Sequence, residues 1–348
     1  MLGLTDNSGA VRAERLQYLN GTFATRTYGY DGVSRVASFV ESPAGVSQSF
    51  GYDRFGNLWQ TGAAGVPELR ANGFSWYLQP DGEVRNRLAN TGYDLQGNQT
   101  QLSALPGGTT AAYDGEGRLA TVTGGGSATN IYDAEGRRVK RTANGITTYY
   151  VYDADGQLMA EYGGTPSGSG TQYLVTDYLG STRMIQDSNG NCVTRMDYAP
   201  FGAVVPRAGQ ECYAAPWASG MMFTGKERDG DTAAGTQTGL DYFGARYFSG
   251  AQGRFTSPDE PFADQDPAEP QSWNLYTYGL NNPLRYTDPD GRAHWDENNS
   301  YVGDKDGECQ KVGSGTLCWS DKNQQWGTPP AAITAADLNP FSDTLIRR

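Results

Sequence analysis

Side chains able to do chemistry are few in this 348-residue chain, and their spacing narrows the options further. Acyl transfer through a Ser or Cys nucleophile needs a nearby base, and His294 is the one histidine, so a histidine-based catalytic site is not expected. Cys192, Cys212, Cys309 and Cys318 form no Cys-x-x-Cys spacing, which with a single histidine argues against zinc; no metal and no cofactor are expected. Asp153-Ala154-Asp155-Gly156 and Asp304-Lys305-Asp306-Gly307 look like pieces of a calcium loop. Neither continues to the further oxygen ligands and the distal Glu of such a loop, so turn chemistry outweighs calcium. Cys309 and Cys318 flank a Gly-Ser-Gly turn and are placed to close a hairpin by a disulfide, which implies an oxidising final location; four free thiols is the competing reading.

The elements that must position any site are legible as a repeat. Tyr-Asp-x-x-Gly recurs at Tyr52, Tyr93, Tyr113, Tyr132 and Tyr152, with turn residues Asp53/Gly56, Asp94/Gly97, Asp114/Gly117, Asp133/Gly136 and Asp153/Gly156. Weaker copies begin at Tyr30 and lie in "QPDGEV" at 79–84. A period near twenty residues marks a repeat architecture. Segments such as "ITTYYVY" read as strand; Asp then turns the chain through its side chain and Gly through a positive φ, and "RLATV" or "QLMAEY" begins the return strand. One such hairpin buries too little to be stable alone, so neighbours must stack into a continuous sheet. The tyrosines are then expected to form a ladder, each ring covering the next. A sugar-binding platform is the other reading of these rings.

Composition agrees with an all-β chain. There are 47 glycines and 22 tyrosines, charged residues are only 19%, and Leu-rich amphipathic runs are missing. The net charge of -12 opposes a phosphate backbone, so no nucleic acid is expected as a partner. No apolar run approaches the ~20 residues of a membrane helix, and "MLGLTDNSGAVRAERL" lacks the layout of a signal peptide.

These units resemble the YD repeats of the Rhs family, which includes the Tc toxin C component and, more distantly, the teneurins. "DYLGSTRMIQDSNGNCVTRMDYAPFG", "FTGKERD", "TGLDYFGARYFSGAQGRFTSPDE" and "NLYTYGLNNPLRYTDPDG" follow in the order of the Rhs repeat-associated core region. The resemblance covers residues ~30–291. It implies β-hairpins spiralling into part of a hollow shell, or cocoon, closed at one end by the core region. The boundaries read as an array over 1–162, a Gly/Ser-rich link or hairpin tip at 163–170, a core region at 171–291 and a variable tail at 292–348. The 57-residue tail shows no catalytic set and is too short to hold a core without staples.

The resemblance also implies a site. Asp259 in "SPDE" and Asp288 in "TDPDG" match the acids of a self-cleaving aspartyl-type protease, with Arg254 placed to orient them and the bond after Gly291 as substrate. Two close carboxylates cannot both ionise cheaply, so one acts as acid and the other as base. This chain departs from that pattern at Arg292, where Leu is usual, and at Glu260, where Pro is usual. The alternative is that both acids are ordinary turn formers.

The leading expectation is therefore the C-terminal part of a shell that encloses and delivers a C-terminal cargo in bacterial competition or insect toxicity, secreted or at the cell surface. Its partners would be its own C-terminal segment or a toxin cargo, and further shell repeats or another chain at open sheet edges. About six repeats are too few to close a cocoon alone, which suggests a fragment or a truncated product. The alternatives are a single-turnover autoprotease, and an adhesin that binds glycans through Tyr and Trp.

Overall fold

The computed structural model describes residues 10–18, 21–64, 77–89, 91–102, 109–124, 127–154, 156–164, 170–205, 207, 212–213, 220–229, 239–261, 265 and 270–292, and short strands of the tail between His294 and Gly327. The chain is all-β: among the described residues there is no α-helix. β1 (Ala13–Gln17), β2 (Phe23–Tyr30), β3 (Val36–Ser42), β4 (Val46–Tyr52) and β5 (Leu58–Ala64) form one antiparallel meander. A second meander contains β6 (Thr110–Tyr113), β7 (Leu119–Thr123), β8 (Ala128–Tyr132), β9 (Arg138–Ala143), β10 (Ile146–Tyr152) and β11 (Leu158–Gly163). Neither sheet closes on itself. Between them, the units around Leu78–Val84 and Tyr93–Gln99 are reduced to single bridges.

Each repeat turn is built alike. At Asp133 the backbone closes through Asp133 N–H to Arg137 O at 3.0 Å and Gly136 N–H to Asp133 O at 3.1 Å. Oδ1 accepts from the amides of Glu135 and Arg137 at 3.1 and 2.8 Å, while Oδ2 accepts Arg137 Nε at 2.8 Å. The Asp side chain thus satisfies the amides that the turn leaves unpaired, and Gly136 supplies φ +83. The same closure occurs at Asp31, Asp53, Asp94, Asp114 and Asp153. It also recurs at Asp177–Ser181, Asp187–Asn191, Ala199–Ala203 and Met222–Lys226, so the turn unit continues well past residue 162. There it is carried partly by sequences without the Tyr-Asp signature.

Successive units are locked differently from the expected ladder. Tyr52 Oη donates to Val36 O at 2.7 Å, Tyr132 Oη to Leu119 O at 2.8 Å and Tyr152 Oη to Arg138 O at 2.9 Å, each reaching the residue just after the preceding turn. The ring faces are taken by arginines of those turns: Arg35 lies 4.3 Å from the Tyr52 ring centre, Arg118 4.9 Å from Tyr132 and Arg137 5.4 Å from Tyr152. At these three tyrosines cation over ring replaces ring over ring, because the turns at Asp31, Asp114 and Asp133 each place their arginine against the tyrosine of a neighbouring unit.

Described segments after residue 171 pack on both sheets. β12 (Gln172–Thr176), β13 (Thr182–Asp187) and β14 (Cys192–Arg195) form one small sheet. A second consists of β15 (Glu227–Asp229), β16 (Leu240–Tyr242), β17 (Tyr247–Ser249) and β18 (Arg254–Phe255). Phe39, Val36 and Phe50 of the first meander share a core with Phe201, Phe223, Phe243, Phe248, Phe255 and Tyr278, whose rings meet at 4.8 Å (Phe248–Tyr278) and edge-on at 5.6 Å (Phe243–Phe255). Leu119, Val122 and Ala128 of the second meander pack on Leu240 and Tyr247.

Cys192 and Cys212 form a disulfide, which overturns the reading of four free thiols. Cys309 and Cys318 face each other in register on the paired strands Cys309–Val312 and Gly315–Ser320, but their side chains, like that of His294, lie outside the described residues. So does the whole of 304–307. Asp153 spends its carboxylate on the Gln157 amide at 2.8 Å, as a turn residue does.

Candidate functional site

Segment 274–282 runs along the row of repeat turns and reads their outward carbonyls. Asn282 Nδ2 donates to Ser34 O at 2.8 Å, Asn281 Nδ2 to Gly56 O at 3.0 Å, Asn274 Nδ2 to Phe55 O at 3.1 Å and Tyr276 Oη to Gly97 O at 2.7 Å. This docking carries Asp288 inward and sets it beside the β16–β17 turn. The two loops interlock through glycines: a Cβ on Gly244 would meet Asp290 O at 2.9 Å, and one on Gly291 would meet Arg246 N at 2.9 Å. Both have positive φ, +95 and +83, so only glycine fits without strain.

Arg246 stands at the centre of that junction. Its Nη2 lies 2.7 Å from Asp259 Oδ2 and 3.3 Å from Asp288 Oδ2, so the two aspartates share one guanidinium nitrogen. Its Nε donates to the carbonyl of Gly291, its Nη1 donates to Leu275 O at 3.0 Å, and its plane sits 3.8 Å over Phe255. Asp288 Oδ1 accepts the amides of Gly291 at 2.7 Å and Asp290 at 3.2 Å. Burial pushes the Asp288 carboxyl up to about 7; Asp290 and Asp259 add to this, Arg246 opposes it, and so does the Gly291 amide. Burial also raises Asp259, against Arg246. Lys226, whose Nζ donates to Pro289 O, is pushed down by burial while Asp288 and Asp290 hold it up.

The structure thus brings Asp259, Asp288 and the Gly291 carbonyl together on one side chain, and that side chain is not Arg254. Arg254 lies 4.4 Å over the Tyr276 ring and 5.5 Å from Tyr77, and donates to Asn86 O. It is a packing cation between the reduced repeats and segment 276. Both arginines follow an aromatic-and-glycine stretch, and nothing in spacing alone separates them. Asp259, Arg246, Gly291 and Arg292 line an open cleft of ~760 Å³, whose far wall is formed by repeat turns carrying Arg85, Arg118 and Glu135. The repeat tyrosines Tyr52, Tyr132 and Tyr152 each have the hydroxyl and one ring face engaged within the fold, which disfavours them as a sugar platform. Among the described residues no group of three His, Cys, Asp or Glu side chains is arranged to hold a metal ion.

Residues 141–284 match the family model described as teneurin YD-shell. The chain is 28% identical over 273 residues to the tRNA nuclease WapA of Bacillus subtilis (strain 168), covering 70% of this chain and 11% of that protein. It is 36% identical over 110 residues to toxin subunit YenC2 of Yersinia entomophaga, covering 32% of this chain and 10% of the other. A crystal structure of TcdB2-TccC3-Cdc42 aligns with a TM-score of 0.47 and 21% identity over 82% of this chain and 14% of that one. The chain spans about a tenth of the length of the curated relatives it matches.

Proposed function

We propose that this chain, whose residues 141–284 match the teneurin YD-shell model and which is similar to Rhs-type and Tc toxin relatives, is a shell wall that encloses, and helps deliver, whatever follows Gly291. The observation that carries this reading is the seating of segment 274–282 across successive repeat turns, which leads the chain past the wall's inner aromatic core to Gly291. Limited proteolysis of the complete gene product tests it. Residues after Arg292 should resist digestion until denaturant opens the wall; digestion at the rate of an unfolded chain would remove the enclosure reading. The toxin names of the relatives support secretion and a toxic cargo as parts of the same proposal.

A second reading has its own observation: both acids and the Gly291 carbonyl meet on Arg246. In this reading the chain hydrolyses its own Gly291–Arg292 bond once. Arg246 polarises the carbonyl, ionised Asp259 takes a proton from water, and Asp288, protonated near neutrality, supplies one. Tethering keeps the effective concentration high. Intact mass of the purified chain beside Asp288→Asn tests it: loss of the 57 residues after Gly291 in the first alone supports hydrolysis. One full-length mass in both leaves Asp288 as a turn residue.

A further inference from the structure

We propose that Asp290 is a leaving-group residue of this self-hydrolysis: its carboxylate holds the N–H of the scissile amide and remains opposite that nitrogen as it departs. The inference rests on the self-cleavage reading above. Asp290 Oδ1 accepts from Arg292 N at 3.1 Å, so it touches one of the two atoms whose bond breaks. Among the described residues Asp259 and Asp288 are the acids that bind Arg246, while Asp290 faces the amide instead.

The backbone that carries Asp290 is held on every side. Ala245 N–H donates to Asp290 O at 2.9 Å, Asp290 N–H donates to Asp288 Oδ1 at 3.2 Å, and Lys226 holds the carbonyl before it. Gly291 is fixed through its amide on Asp288 and its carbonyl on Arg246. The backbone groups on the acyl side of the bond are therefore oriented before reaction, and the side chain of Asp290 supplies the contact on the amine side. Asp290 is exposed, so packing does not account for its placement.

The step balances without a further reagent. Water oxygen adds to the Gly291 carbonyl carbon, its proton passes to Asp259, and the Arg292 nitrogen takes the proton of Asp288. The C–N bond then breaks, leaving a Gly291 carboxyl group and an Arg292 amine. As the nitrogen gains its proton it becomes cationic, and the Asp290 carboxylate on its N–H stabilises that charge. A carboxylate closing on an amide two residues on is also an ordinary turn device. Asp290 also repels charge on Asp288, which otherwise faces Arg246, Asp259, Lys226 and Tyr278, so its removal moves the pH limb in either role. Asp290→Asn separates them, because its side-chain oxygen can still accept the Arg292 N–H and close the turn but carries no charge.

The test follows self-processing of the full chain from its synthesis in cell-free translation, by intact mass, from pH 4.5 to 9, for the parent, Asp290→Ala and Asp290→Asn. Expected are a slowing of about 10–100-fold in Asp290→Ala, a smaller one in Asp290→Asn, and in both a high-pH limb moved to lower pH. Parent-like rates and limb in the variants overturn the Asp290 role alone. Slowing in Asp290→Ala with a parent-like rate in Asp290→Asn also overturns it, as a loop-fixing role would produce that. A parent that stays full length overturns the self-cleavage reading and this role together.

Discussion

At the residue scale, the central fact is one guanidinium serving two acids and a peptide carbonyl. Arg246 is fully engaged, and Asp288 is the group whose ionisation the fold resists most visibly. Its carboxyl moves from the ordinary 3.8 to about 7 on burial. A raised acid destabilises the fold wherever the unfolded chain ionises and the folded one resists. That cost is absent below pH ~4, grows from there to pH ~7, and amounts to about 4 kcal/mol above. Asp177, Asp241 and Asp259, also raised by burial, act in the same direction. Thermal melts should therefore show stability rising as pH falls from 8 to 5, with Asp288→Asn flattening the slope. An unchanged slope in that variant would mean that Asp288 ionises freely.

At the element scale, the repeat is held by a hydroxyl and a cation at Tyr52, Tyr132 and Tyr152. Tyr52 makes the point: its hydroxyl reaches Val36 O at 2.7 Å beneath Arg35. Tyr52→Phe keeps the ring and the cation but strands a carbonyl, and should cost about 1–1.5 kcal/mol in urea unfolding. Tyr149 is 51% exposed with Lys140 5.6 Å from its ring, but among the described residues its hydroxyl makes no such hydrogen bond, and Tyr149→Phe should stay within about 0.5 kcal/mol. Equal losses at both positions would refute the inter-unit lock. Because each lock joins only adjacent units, the wall should tolerate loss of one lock better than loss of a turn.

At the scale of the molecule, buried ion networks join the two meanders to the segments that follow residue 171. Arg138, fully buried on β9, reaches Glu227 and Asp229 of β15 at 2.6 Å each, and the Tyr247 hydroxyl at 2.6 Å. A second network links Glu41 of β3 to Arg26 at 2.7 Å and to Arg207, which reaches Asp197 at 2.8 Å. Burial works against a charged Asp197, but Arg183, Arg26 and Arg207 together hold its carboxyl well below the usual range. Such networks add little net stability over apolar packing, yet removing one partner leaves the others charged and dry. Arg138→Ala should cost about 3–5 kcal/mol, and Arg138→Met combined with Glu227→Gln and Asp229→Asn should recover much of it. A triple variant as unstable as Arg138→Ala would point to packing as the larger loss.

The amino-acid sequence by itself determined the all-β class, the repeat period and the turn at every Tyr-Asp-x-x-Gly, because these depend on local chemistry: Asp satisfies nearby amides and Gly accepts positive φ. It also singled out Asp259 and Asp288 through family resemblance. Tertiary structure alone decided which arginine serves them, since Arg246 and Arg254 differ only in what the fold sets opposite. The Cys192–Cys212 pairing, the Arg-over-Tyr packing and the reach of Asp290 to the Arg292 amide were decided the same way. Each depends on loops distant in sequence or on a side chain's direction, and a turn motif specifies neither.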